Sequence, residues 1–229
     1  MFKKFMFGAV LAAMLAFCLA VIADDKPFEG SYEMKGPAGD LLKGDKILIE
    51  DYISPICPHC YLFWKNRKSF GSDVDTKIYY LFNEANGKQQ VKLLMVARGL
   101  GGDLEEKALT AIYEDNYGSR IDIQSMKYLD GLAEKLGFGA AWKEKKNSAE
   151  LTKQMDDMLS AIKEQGINRT PTIVIQHSIL VSAMTCGCTG DKLPDAISDV
   201  LGNLRKFRAA MAKNPSGPAA TPAAPAATE

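Results

Sequence analysis

Apolar residues crowd positions 47–56: Ile47, Leu48, Ile49, Tyr52, Ile53 and Ile56, with Lys46 and Gly44 before them. A short, β-branched apolar run of this kind predicts a buried strand. The pattern then changes period. Pro58 suits the first turn of a helix, and Cys60, Phe63, Trp64 and Arg67 recur at helical spacing. A second strand is expected over 90–97, where Val91, Leu93, Leu94 and Val96 cluster. From 101 to 166 the pattern is helical. Asp103 with Glu106 forms a capping-box signature ahead of Leu104, Ala108, Leu109, Ile112 and Tyr113. Asp122 is expected to open the next helix, with Ile123, Met126, Leu129, Ala133 and Leu136 on one face and Gly137 past its end. Ser148 opens a third, carrying Leu151, Met155, Met158, Leu159 and Ile162, closed by Gly166. Its methionines keep the helical stripe and read as core packing rather than as a soft-metal face. Two strands over 170–175 and 179–184, joined by a tight turn at His177-Ser178, precede a last helix over 193–207 with Pro194 in its first turn. The order is strand, helix, strand, helical block, hairpin, helix.

Both ends differ in composition from this body. Residues 1–23 read as a secretory signal peptide: Lys3 and Lys4, an apolar stretch over 5–19, then Val21-Ile22-Ala23 as a cleavage site. The apolar run is also long enough for the alternative of an uncleaved membrane anchor. A lipoprotein reading through Cys18 is disfavoured by the bulky Phe17 before it. Residues 214–229 are rich in Pro, Ala, Ser and Thr and lack the apolar surface needed to offset ordering entropy, so a disordered tail is expected. What remains suits one domain with a substantial core, or a small domain with an insertion.

Charge narrows the partners. The chain carries 28 basic and 28 acidic residues; without Lys3 and Lys4 the balance is 26 against 28, a net charge of about −2. No basic excess points to nucleic acid or to acidic lipid, and no nucleic-acid partner is expected. Loss of Cys18 with the leader leaves Cys57, Cys60, Cys186 and Cys188. An exported protein meets oxidising conditions, but four cysteines so locally paired do not make a structural disulfide framework. They read as chemistry.

The pair in Cys57-Pro58-His59-Cys60 lies at a strand-to-helix junction. Two cysteines two residues apart can close a disulfide across one helical turn. The outer sulfur then lies where unpaired backbone N–H groups and the helix dipole stabilise negative charge, which makes it a better leaving group and its disulfide a stronger oxidant. The competing class is a metal-binding protein, since the same spacing is half of a zinc site. Cys186 and Cys188 would then complete a set for zinc or copper(I). His177 reads as a polar turn residue.

The dithiol motif after a buried strand, the helical block, and then Arg169-Thr170-Pro171-Thr172-Ile173-Val174 together resemble the DsbA-like branch of the thioredoxin superfamily. The resemblance covers roughly 46–207 and is most specific at the dithiol and at Thr170-Pro171. It implies an α/β chain, a thioredoxin fold with an inserted helical domain: thioredoxin-like segments over 24–98 and 167–213 and an insertion over 99–166. It further implies an exported, periplasmic protein disulfide oxidoreductase that introduces disulfides into cysteine-containing clients, has no cofactor or resident metal, and is reoxidised by a quinone-linked membrane partner. In that reading Cys57 is the exposed nucleophile and Cys60 the buried resolving thiol. His59, with Pro58, tunes the potential, its ring hydrogen-bonding or charging beside Cys57. Pro171 is the family's cis-proline, with Thr170 free to pair with an extended client. Thr170 departs from the small apolar residue of dedicated oxidases, so an isomerase or reductase stands as the alternative.

Asp51, six residues before Cys57, matches the place of a buried acid that handles the resolving thiol's proton. Strand alternation puts it on the face of Ile47, Ile49 and Ile53 and sends Glu50 outward. Cys186-Gly187-Cys188 is not part of the family pattern. Its close spacing favours a strained, reducible pair, a candidate second redox site. Hairpin register predicts Pro171 opposite Met184 and Cys186 opposite Arg169, which returns the pair toward Cys57.

Overall fold

A computed structural model describes residues 26–214; the expected signal peptide and all but the first residue of the expected tail lie outside them. Five strands form one mixed sheet: β1 (Glu33–Met34), β2 (Ile47–Ile53), β3 (Val74–Tyr80), β4 (Thr172–Ile175) and β5 (Ile179–Ser182), in the spatial order β1-β5-β4-β2-β3. β2 runs parallel to β3 and antiparallel to β4. The helices are α1 (Pro58–Lys65), α2 (Lys88–Leu100), α3 (Leu104–Tyr113), α4 (Met126–Lys135), α5 (Gly139–Lys145), α6 (Ala149–Glu164), the one-turn α7 (Ala183–Cys186) and α8 (Leu193–Lys213). A π-helical turn, Glu114–Gly118, continues α3. The architecture is the thioredoxin fold with a helical insertion between β3 and β4.

The sequence reading of β2, α1, α6 and α8 holds to within a few residues at the start, with Ser148 capping α6 through the backbone N–H of Leu151 at 3.1 Å. Three expectations are corrected. Residues 90–97 are helix, not strand. Val91, Leu94 and Ala97 are buried along one stripe of α2, with Leu93 and Val96 beside it, so the apolar cluster serves a helix with a wide buried face. The second strand is β3, upstream, whose Asp75, Thr76 and Lys77 are exposed because it forms one edge of the sheet. Asp103 does not form a capping box with its side chain; it pairs with Lys107 at 2.8 Å. Asp122 does not open α4 either. Ser125 does, accepting from the Tyr128 N–H at 3.2 Å, while Asp122 accepts from Gln124 in the preceding turn.

The hairpin also differs by one position. Thr172 pairs with Ser182 and Ile175 with Ile179, around the turn Gln176-His177-Ser178. Gln176 and His177 both have positive φ, 52° and 57°. β5 stops at Ser182, where a reciprocal Ser182–Thr185 capping box starts α7. Cys186 therefore lies in a helical turn and not in the sheet opposite Arg169.

Glu50 is not exposed. It is 4 % accessible and Asp51 0 %, because both faces of β2 are covered. Glu50 meets His177 Nδ1 at 2.8 Å, so the turn histidine, itself exposed, caps a buried carboxylate.

Candidate active site

β2 delivers the chain directly into the dithiol. Cys57 is the N-cap of α1 with extended backbone (φ −97°, ψ 118°), and Pro58 occupies the first turn, where its missing N–H costs nothing. The Cys57 sulfur takes the place of a capping oxygen, accepting from the Cys60 N–H at 3.3 Å. Pro58 and His59 are exposed, Cys57 is half-buried, and Cys60 is fully buried against the core. Cys57 and Cys60 are not joined to each other, so the geometry described is that of the reduced site.

One helix turn thus gives two sulfurs opposite environments. Hydrogen bonding with Cys60, above all, lowers the Cys57 pKa to about 6, against the opposing effect of partial burial; the backbone N–H groups of His59 and Cys60 contribute. Burial pushes the Cys60 thiol well above the ordinary range, and the neighbouring Cys57 pushes it further. Cys57 is a thiolate at neutral pH and Cys60 a thiol. His59 contributes to the lowering at Cys57 through its backbone N–H.

The loop before β4 closes over this pair. The Thr170–Pro171 peptide is cis, and the Cys57 sulfur lies 3.6 Å from the Thr170 carbonyl oxygen. Beneath, Asp51 points to the face of the sheet that α1 covers, where Arg67, just beyond that helix, brings its guanidinium to 3.2 Å. The contact is an ion pair without hydrogen-bond alignment, and neither Asp51 oxygen has a hydrogen-bond partner. Burial raises the Asp51 pKa to about 6, with Arg67 opposing the shift. An acid so placed holds a proton near neutrality and can release it.

Among the described residues no three or more His, Cys, Asp or Glu side chains gather as metal ligands. Cys186 and Cys188 are joined to each other instead, so the four-cysteine zinc or copper(I) set does not form.

The family model described as Thioredoxin matches residues 45–188, more than half of the chain. The chain belongs to the thioredoxin family. Family membership and the dithiol at the head of α1 make it a thiol–disulfide oxidoreductase. Within the superfamily its fold is DsbA-like. Pseudomonas aeruginosa DsbA is 17% identical with a TM-score of 0.61, over 81% of this chain and 95% of that one. Xylella fastidiosa DsbA is 17% identical with a TM-score of 0.59, over 76% and 95%. Reduced DsbA1 from Neisseria meningitidis is 19% identical with a TM-score of 0.54, over 78% and 95%. A search of curated protein sequences finds no match.

Residues of this thioredoxin-family site that sequence reading missed come from far along the chain. Tyr113, in the helical insertion, donates to the Ser54 carbonyl at 2.9 Å, just before the dithiol. Tyr117, on the π-helical turn, stacks on Tyr61 of α1 with centroids 5.4 Å apart. The aromatics of 113–117 carry no local motif; only the fold brings them to the dithiol rim. The helical spacing of Arg67 is plain in the sequence, but its pairing with Asp51 is set only by the fold.

Proposed function

We propose that the protein is exported to the periplasm and works as a disulfide donor, oxidising pairs of cysteines in client proteins. The observation that carries this is the asymmetry at one helix turn, a Cys57 with pKa about 6 beside a buried, neutral Cys60. A stabilised thiolate favours the dithiol form and so makes the disulfide a strong oxidant.

In the forward direction a client thiolate attacks the Cys57 sulfur of the Cys57–Cys60 disulfide. That bond breaks, a client–Cys57 mixed disulfide forms, and Cys60 leaves as a thiolate. Cys60 is too buried to stay charged, and Asp51 supplies the proton. A second client thiolate then attacks the client sulfur of the mixed disulfide and releases Cys57 as its stable thiolate. Two electrons pass from client to enzyme. The resemblance to DsbA-like proteins suggests a quinone-linked membrane partner for reoxidation. His59, with Pro58, sets the potential from the helix N-terminus.

The client would lie along the cis-proline loop. Beside Thr170 and Pro171 is a cleft of about 350 Å³ lined by Lys35, Arg169, Thr172, Leu180, Ser182 and the exposed Met184. An extended peptide can use backbone hydrogen bonds there. Pro171→Ala should therefore slow release of clients, so that mixed disulfides through Cys57 accumulate in cells and appear as high-mass bands removed by reductant. Unchanged band patterns would remove the docking role.

The function is tested with oxidised protein and a reduced two-cysteine peptide. Stoichiometric peptide oxidation is expected, lost in Cys57→Ser. Failure of the oxidised protein to transfer its disulfide, alongside efficient reduction of peptide disulfides by its dithiol form, would assign the reductase alternative.

A further inference from the structure

Cys186 and Cys188 form a disulfide with a single residue between them. Gly187 sits at φ 60°, a left-handed conformation that side chains rarely adopt, and it is exposed. A structural cross-link does most when it closes a long loop. This one closes a very short loop in a segment that is already held: the Ser182–Thr185 capping box anchors α7, and the Cys188 N–H donates to the Ala183 carbonyl at 3.1 Å. Both sulfurs are half-buried on the wall of a cleft of about 540 Å³ that also presents Ser31, Asp199, Asn203 and Lys206. Short-loop, accessible disulfides are the reducible ones.

A second observation ties this segment to the dithiol. Two residues beyond Cys188, Gly190 is buried against the active-site motif so closely that a Cβ there would stand 2.5 Å from the His59 carbonyl oxygen. The chain from 186 to 190 therefore runs from the disulfide to the backbone of His59, whose N–H supports the Cys57 thiolate.

We propose that Cys186–Cys188 is a second redox centre, exchanging with thiols that enter its cleft, and that its state tunes the Cys57–Cys60 couple through the Gly190–His59 contact. The exchange is balanced. A thiolate attacks one sulfur, the Cys186–Cys188 bond breaks, a mixed disulfide forms, and the other cysteine leaves as a thiolate that takes a proton from water. Lys206 lines the same cleft. A second thiol displaces the first sulfur as a thiolate, which also takes up a proton. Two thiols become one disulfide and the pair gains two electrons and two protons; oxidised glutathione reverses the sequence. With the bond open, the 186–190 segment loosens its hold on His59, and the Cys57–Cys60 disulfide becomes a weaker oxidant. Only the coupling half rests on the function proposed above.

The test uses glutathione redox buffers and mass-resolved alkylation. In Cys57→Ser/Cys60→Ser, checked as folded by circular dichroism, Cys186 and Cys188 should interconvert between disulfide and dithiol as the buffer ratio changes. A pair that stays oxidised at every ratio in folded protein overturns the second centre. In Cys186→Ser/Cys188→Ser, and separately in Gly190→Ala with all cysteines present, the Cys57–Cys60 equilibrium with glutathione should shift by at least about fivefold. No shift in either variant overturns the coupling. If wild-type Cys57–Cys60 does not exchange at all, the proposed function fails while the result at Cys186–Cys188 stands separately.

Discussion

Asp51→Asn should raise the stability of the protein above pH 6 by about 3 kcal/mol while slowing turnover. The side chain is wholly buried, with neither oxygen hydrogen-bonded and only a poorly aligned guanidinium nearby. Its pKa rises from 3.8 to about 6 on folding. A raised carboxyl pKa means that the ionised form is penalised in the folded state. The group is harmless below pH 3.8, and its cost grows as pH rises through 6. Asparagine has the same shape without the charge, so the gain should vanish near pH 3.5 and be complete by pH 7. Chemical denaturation of the reduced protein across this range checks it. The same substitution removes the group proposed to give Cys60 its proton, so client oxidation should fall at least about tenfold. A variant that is neither stabilised at pH 7 nor slowed would show that Asp51 is neutral through other means and idle in the reaction. Glu50→Gln, on the opposite face and paired with His177, should leave turnover nearly unchanged.

The reduced protein should be more stable than the oxidised protein, by a margin that depends on pH. The folded Cys57 pKa is about 6 and the ordinary thiol value 9.0, so the thiolate contributes stability that is complete near pH 9 and lost as pH falls through 6. Three pK units correspond to about 4 kcal/mol; solvent screening at a half-exposed sulfur brings this to about 2–3 kcal/mol. Thermal melts of both forms between pH 5 and 9 check the slope. Only the reduced form should show the rise. Parallel curves would mean that the sulfur is not stabilised by folding.

Much of this site is local in origin and was legible for that reason. β2 and α1 are adjacent in the chain, so an apolar run followed by Cys-x-x-Cys specifies a dithiol at a helix N-terminus without knowledge of the rest. Ser148 and the stripe through Leu151, Met155, Met158 and Ile162 defined α6 for the same reason. What failed depends on tertiary surroundings. Val91, Leu93, Leu94 and Val96 alternate well enough for a strand and become a helix because α2 is buried across much of its circumference. β3 carries no continuous apolar pattern because an edge strand leaves Asp75, Thr76 and Lys77 in solvent. Alternation sends Glu50 outward because it assumes one wet face; this sheet has none at β2. The hairpin slipped by one residue because Gln176 and His177 take positive φ without a glycine or asparagine to announce it. That slip, with the capping box at Ser182, moved Cys186 from an expected sheet position into α7.

The central claim is that folding stabilises Cys57 as a thiolate and so makes the Cys57–Cys60 disulfide an oxidant. The equilibrium of that couple with glutathione tests it most directly, read by the change in tryptophan fluorescence or by alkylation of the two cysteines. The account predicts a couple clearly more oxidising than thioredoxin's, at or above about −200 mV. A value near or below about −270 mV, the thioredoxin range, would contradict it and make the protein a reductant.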